Sequence, residues 1–496
     1  MATDFVAVGG GGAKRRRVDA RAAKGEEAAA LPAIRISALP DELRQRILAH
    51  LPLKEAIRTG ALALGWRDLW KSRWIHCSSV EIHLRSRDDV RRELGALPRP
   101  RRRLDRFSLI VDICKLSSSE LRCFLDYAAE CRVEVLHVET RKSSVAENLN
   151  FHLPLSSPFL ASLSLRRINV AKMYYKGAQP FHALEVIRLH FVSITATAFM
   201  KMMALCPNLR ALDLRGCDCG LTGCSITWSK LSFLPTNVRS VTVAECDGTA
   251  SLEWAYLPKL HSFLYRGSFL DAPFSLPGDA TLANLYICLG NSISECYGIM
   301  RFNRALPDDL SGLTVLTICS NALPAASPFP DDGVIPQLPK LSNLYSLREL
   351  QLLMLDMLAA NLADIYVFLK TCRCANLERL FVHLPKSESY DPMEATLDEV
   401  GEEPTEVALD NLKIVKVMNF NWRHIEVQLV SFLLRKATSL HKLLLVSPNV
   451  SPLNAAGVQE ADLLLLKEAL DNGKIMLSES DDAATQPYHS EVFIEV

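Results

Sequence analysis

The stretch LRALDLRGC (209–217) carries the pattern that decides the fold. Leu209, Leu212 and Leu214 form the spacing φ-x-x-φ-x-φ, where φ is apolar. The last two lie two residues apart, so an extended chain points both to one side and leaves Asp213 and Arg215 on the other. The same spacing recurs in both directions along the chain. Upstream stand Leu184, Ile187, Leu189; Leu160, Leu163, Leu165; and, as the first member, Val133, Leu136, Val138. Downstream come Val238, Val241, Val243; Leu260, Phe263, Tyr265; Leu282, Leu285, Ile287; and Leu313, Leu316, Ile318. The series closes with Leu347, Leu350, Leu352; Leu377, Leu380, Val382; Leu412, Val415, Val417; and Leu440, Leu443, Leu445. One copy cannot bury its own apolar side, so stacked neighbours must bury it together.

Copies start roughly 22 to 35 residues apart, which resembles the period of leucine-rich repeats. Asn321, Cys217 and Cys246 stand where that repeat favours Asn or Cys, with a side chain able to satisfy backbone groups at the turn leaving the strand. Between the strands, 195–209 and 362–377 read as helical or irregular segments.

A different logic governs ISALPDELRQRILAHLPLKEAIRTGALALGWRDLW (36–70). Pro40, Asp41 and Glu42 suit the first turn of a helix. Leu43, Ile47, Leu48 and Leu51 are spaced for one helical face, and Pro52 ends the run. A second short helix carries Ala56 and Ile57. After Gly60 a third sets Leu62, Trp66 and Trp70 at helical spacing. Three such helices bury too little to stand alone, so they either cap the repeats or engage a partner. The ordered series Ile36, Ser37, Leu39, Pro40, Asp41, Leu43, Ile47, Leu48, Leu51, Pro52, Ala56, Thr59, Leu62, Trp66, Trp70 resembles an F-box, most of all the plant form. The chain departs from it at Ala63-Leu64-Gly65, where family members commonly carry a serine and basic residues. Near the other end, 409–448 reads strand, loop, helix, strand, with Ile425, Leu429, Phe432 and Leu433 on one side of the helix. It resembles the FBD region of plant F-box proteins with leucine-rich repeats.

The expected architecture is α/β: a three-helix F-box module followed by a leucine-rich-repeat solenoid with a C-terminal FBD region. Its divisions are a disordered basic leader (1–34), the F-box (35–79), a basic junction with first strands (80–132), and the repeats (133–408). The FBD region (409–450) and a C-terminal helix with capping strands (451–496) follow, and SEVFIEV (490–496) is a candidate for the last strand. An acidic run at 387–410 reads as a solvated insertion.

Net charge is zero, with 56 basic and 56 acidic side chains, so no global field draws the chain to nucleic acid or membrane. No apolar run is long enough to span a bilayer. The arginines between Arg85 and Arg106 have no interleaved aromatics, and a solvated junction is the expected reading there. Fourteen cysteines lack zinc-type spacing, so no metal is expected, and no cofactor motif or catalytic constellation is present. Lys14, Arg15, Arg16 and Arg17 form a candidate nuclear import signal, giving a nuclear and also cytoplasmic expectation.

The resemblance implies a non-catalytic subunit of an SCF-type cullin–RING E3 ubiquitin ligase. Its F-box would dock a Skp-type adaptor, and through it cullin, by Leu39, Pro40, Leu43, Ile47, Leu48, Leu51, Pro52 and Trp66. Its repeats would hold a protein substrate. Two other roles remain open: a nuclear interaction scaffold uncoupled from degradation, and a small-molecule-dependent co-receptor.

Overall fold

The computed structural model describes residues 39–49, 69, 79–97, 104–112, 116–141, 150–151, 158–170, 172–173, 180–218, 235–246, 257–267, 281–290, 302, 306–326, 340–386, 403–407, 409–447, 459–478 and 485–489. It divides the chain into two units, residues 1–77 and 78–496. In the first, helix α1 (Asp41–Ala49) is described.

In the second unit the described residues place fifteen strands in one sheet, every neighbouring pair parallel and in chain order. They are β1 (Ser79–Leu84), β2 (Arg106–Val111), β3 (Val135–Thr140), β4 (Ser162–Arg166), β5 (Val186–His190), β6 (Ala211–Arg215), β7 (Ser240–Ala244) and β8 (Ser262–Gly267). Then come β9 (Asn284–Leu289), β10 (Val315–Cys319), β11 (Glu349–Leu353), β12 (Arg379–His383), β13 (Ile414–Met418), β14 (Lys442–Val446) and β15 (Ile475–Ser478). Helices α2 (Arg87–Ala96), α3 (Ser118–Glu130), α4 (Ala196–Ala204), α5 (Ala359–Thr371), α6 (His424–Lys436) and α7 (Glu460–Asp471) serve as crossovers, which parallel neighbours require. Every apolar position of the twelve repeat copies named above is buried, in one continuous core.

The sheet is longer than the twelve copies. It also takes in β1 and β2, from the stretch expected to be a basic junction with first strands, and β15 at the other end. Leu104, Phe107 and Leu109 are one more φ-x-x-φ-x-φ copy, and Phe107 and Leu109 are buried. The basic stretch also holds α2, which a Ser86–Asp89 capping box starts and which ends before Pro98. Arg87 pairs with Glu120 at 2.9 Å and Arg92 with Asp89 at 2.6 Å. The last described strand is Ile475–Ser478, while SEVFIEV lies outside the described residues. Residues 387–402 of the acidic run lie outside the described residues; within the described part, Glu403 accepts from Arg435 at 2.6 Å, and Arg435 also reaches Asp462 at 2.8 Å.

The turn leaving five of the strands repeats too. Arg167, Phe191, Gly216, Glu245 and Asn419 each follow a strand directly and take positive φ. The first four donate a backbone N–H across to the next repeat, as Gly216 N does to Ala244 O at 2.7 Å. Only glycine takes this region without cost. At Gly216 a Cβ would also stand 2.7 Å from the Phe191 ring. Gly216→Ala should therefore destabilise the protein by about 1–3 kcal/mol. A denaturant titration checks this, and an unchanged midpoint would contradict it.

Candidate functional site: the outward face of the sheet and the N-terminal helix

In the first unit, the N–H groups of Leu43 and Arg44 both reach the Pro40 carbonyl at 3.1 Å, which starts α1, and Arg44 pairs with Asp41. Leu48 is fully buried, yet Leu43 and Ile47, one turn apart, are 43% and 36% exposed. The four-residue apolar face expected from spacing thus splits: Leu48 is buried within the chain, and Leu43 with Ile47 is offered outward beside exposed Pro40 and half-buried Leu39. Leu51, Pro52, Trp66 and the basic run Lys14, Arg15, Arg16 and Arg17 lie outside the described residues.

In the second unit, the residues between the buried positions of each strand form the outward face. Register stacks them in rows, one of which runs Glu81, Ser108, His137, Ser164, Arg188, Asp213, Thr242, Leu264, Tyr286, Thr317, Gln351, Phe381, Lys416. Early members are polar: Glu81 and Arg188 are exposed, His137, Ser164 and Asp213 half-buried, and Ser108 buried. Asp213 lies 3.3 Å from His190 and 2.8 Å from Arg215. Burial alone would raise the Asp213 carboxyl; its His190 and Arg215 contacts outweigh that and hold it below its ordinary value. Spacing along the chain hid the His190–Asp213 pair, because the residues sit on different strands. From Thr242 onward every member of this row is buried, Lys416 at 1% exposure.

Over β9 to β13 the cover is the chain's own C-terminal segment, residues 485–489. Lys416 on β13 donates to the Thr485 carbonyl at 2.8 Å, and Arg379 on β12 to the Gln486 carbonyl at 2.7 Å. Glu349 on β11 accepts the Tyr488 N–H at 2.5 Å and pairs with Arg379 at 2.8 Å. On β10, Thr317 Oγ1 lies 2.7 Å from His489 Nδ1, and on β9 Asn284 donates to the Tyr488 hydroxyl at 3.3 Å. The His489 ring also meets Tyr286 edge-on at 5.7 Å between centroids.

Thr317 donates its only hydroxyl proton to Gln351 Oε1 at 3.1 Å, so His489 Nδ1 must carry the proton in their contact. His489 Nε2 is then a buried acceptor, with no hydrogen-bond partner among the described residues. Protonating it would bury a charged N–H with nothing to receive it, and burial lowers the imidazole to about 4. Since the folded value is depressed, this contribution to stability is present above about 6.5, the unperturbed value. It is lost as pH falls from there toward about 4. Buried Glu349, whose carboxyl burial raises, opposes the loss, because it favours the protonated form at low pH. The His489 ring signal in NMR is expected not to titrate between pH 5.5 and 8. A midpoint near 6.5 would place the ring in solvent.

The slots expected to satisfy turn groups do so. Asn321 Nδ2 donates to the Leu289 carbonyl at 2.9 Å and Cys217 Sγ to that of Leu189 at 3.0 Å, whereas Cys246 reaches Ala244 O of its own strand. A second ladder was not anticipated. Asn208, Asn376 and Asn411, each just before the first φ residue, donate to a carbonyl of the preceding repeat at 2.7–2.8 Å. The recurring Asn-Leu pair was its visible signal. Among the described residues, no group of three or more His, Cys, Asp or Glu is placed to hold a metal, and no helix is long and apolar enough to cross a membrane.

Comparison with known proteins matches the family model described as the LRR domain of At1g61320/AtMIF1 over residues 103–469, and the F-box domain model over 36–78. The chain belongs to the F-box/LRR-repeat family. This F-box/LRR-repeat chain is 24% identical over 459 residues to the putative F-box/LRR-repeat protein At5g54820 of Arabidopsis thaliana, covering 84% of this chain and 91% of that one. It is 22% identical over 343 residues to the putative F-box/FBD/LRR-repeat protein At2g05300 of the same plant, covering 63% and 69%. A solved leucine-rich-repeat protein, LegL7 of Legionella pneumophila, aligns at 12% identity over 82% of this chain and all of its own, with a TM-score of 0.29. F-box domains bind Skp1-type adaptors, and an F-box joined to leucine-rich repeats is the organisation typical of SCF substrate receptors.

Proposed function

We propose that this F-box/LRR-repeat protein is the substrate-recognition subunit of an SCF-type cullin–RING E3 ubiquitin ligase. The observation that carries the reading is the exposed Leu43–Ile47 pair in the F-box helix of a chain that continues into repeats. The subunit makes and breaks no bond. It holds the Skp-type adaptor by its F-box and a target protein by the sheet's outward face. That raises the target's effective concentration beside the charged conjugating enzyme. Purified full-length protein should co-elute with adaptor and cullin at one-to-one stoichiometry. Replacing Leu39 and Pro40 with alanine should abolish co-elution, and an intact chain that elutes alone would overturn the proposal.

The basic run at 14–17 supports a nuclear site of action. A fluorescent fusion in which Lys14, Arg15, Arg16 and Arg17 become alanine should redistribute to the cytoplasm. Unchanged nuclear signal would remove that part of the reading.

A further inference from the structure

Residues 485–489 lie across five strands, from β13 to β9, against the order in which those strands occur in the chain. Their extent suits an extended segment. Four residue steps cover about 13 Å, and the three strand spacings from β13 to β10 about 14 Å. What holds them is more informative. Three of the polar contacts go to main-chain atoms: the carbonyls of Thr485 and Gln486 and the N–H of Tyr488. Side chains meet two further positions among the described residues, the Tyr488 hydroxyl by Asn284 and the His489 imidazole by Thr317 and the Tyr286 edge.

Such a surface captures an extended peptide by its main chain and selects an aromatic residue followed by histidine at the last two positions. Its polar groups belong to the sheet and keep their place without the tail. Lys416 and Glu349 face outward between inward-facing neighbours, so a departing tail would return an ammonium and a carboxylate to water. Covering them carries a desolvation cost that the docked tail must offset. Tethering supplies part of that offset, because β15 ends at Ser478 and holds the segment at high local concentration.

We infer that the outward face over β9 to β13 is a peptide-binding groove, and that residues 485–489 are its resident, displaceable occupant. The ligand it takes in trans is an extended peptide with an aromatic–histidine pair. The groove stands on its own contacts; naming the displacing peptide as a segment of the ligase target rests on the function proposed above.

The test uses the full-length chain and a fluorescent peptide with the sequence of residues 483–496. The intact protein should bind it weakly, since its own tail competes. The Tyr488→Ala/His489→Ala chain, which keeps the tether but loses both side-chain contacts, should bind at least tenfold more tightly. Adding Arg379→Ala and Lys416→Ala to that variant should abolish the gain. Equal binding by the intact chain and the double variant, both folded, would overturn the proposal. If the double variant fails to fold, hydrogen exchange on the unaltered protein decides. The Tyr488 amide should exchange well before the β11 amides beneath it. Equal protection would make the segment a permanent part of the fold and end the idea of displacement. Neither readout involves adaptor or cullin, so failure here is separable from failure of the ligase reading.

Discussion

Full-length protein carrying Leu43→Asp and Ile47→Asp is expected to lose at least a hundredfold in affinity for the Skp-type adaptor. Burying a leucine or isoleucine side chain contributes about 1.5–3 kcal/mol. A carboxylate placed in the same contact adds its own desolvation cost, so a hundredfold, about 2.7 kcal/mol, is the lower bound. Both residues are far more exposed than fully buried Leu48, so the helix itself loses much less packing here than it would at Leu48. Position 43 lies in the first turn with Asp41 and Glu42, where an acid suits the helix, while position 47 lies in the last turn, where an acid costs about 0.3–1 kcal/mol, well below the expected binding loss. The second unit should melt as before. Titration calorimetry with purified adaptor reads the loss, and near wild-type affinity would place docking elsewhere. Leu48→Asp makes the contrast: it would unfold α1 and lose binding for a different reason, visible as lost helicity.

The second large effect belongs to Phe432→Ala. Phe432 on α6 is fully buried and packs on Tyr366 of α5 with ring centroids 4.6 Å apart. It joins the crossover helix before β14 to the one before β12. Truncating a buried phenylalanine costs about 3–5 kcal/mol, and in a stacked array that cost falls on the nearest-neighbour interface. The expected result is a split thermal transition, with the repeats from β12 onward melting first. The tail should undock with them, since it hangs from β15. Early loss of protection at the Tyr488 amide, together with the β13 and β14 amides, would report this. A single unsplit transition would show instead that the array folds as one cooperative body.

The repeats were legible because each strand contributes two apolar residues at the period of an extended chain, and a third marks the approach to it. Those three positions bury the core whatever stands between them. The copy at Leu104, Phe107 and Leu109 has the same spacing, but Arg101, Arg102 and Arg103 crowd its approach and give the stretch the look of a charged junction. Helix α6 was legible in part: Leu429, Phe432 and Leu433 are buried as spacing implied, while Ile425 is only partly buried and Val427, Val430 and Ser431 are buried as well. The F-box helix was legible in outline, but spacing could not tell that Leu48 turns inward while Leu43 and Ile47 do not. Exposure depends on what the rest of the module covers.

The occupied groove was not legible at all. Its partners lie between 69 and 204 residues apart along the chain, and most of its contacts go to carbonyl and amide groups that every residue possesses. No residue type at 485 or 486 advertises that its carbonyl will be captured. The burial of Lys416, an outward position by register, is the feature that betrays the cover, and only the assembled sheet displays it.

The tail's position also bears on how the protein is made. Each strand of the sheet pairs with the one just before it in the chain, so a ribosome can deliver strands in the order the sheet needs them. The five residues over β9 to β13 emerge after every strand they rest on. Throughout synthesis, therefore, the groove is finished before its occupant exists. A product ending early, from a premature stop codon past residue 478, would keep the whole sheet and leave the groove permanently vacant. By the inference above, such a shortened allele would be a gain of binding rather than a loss.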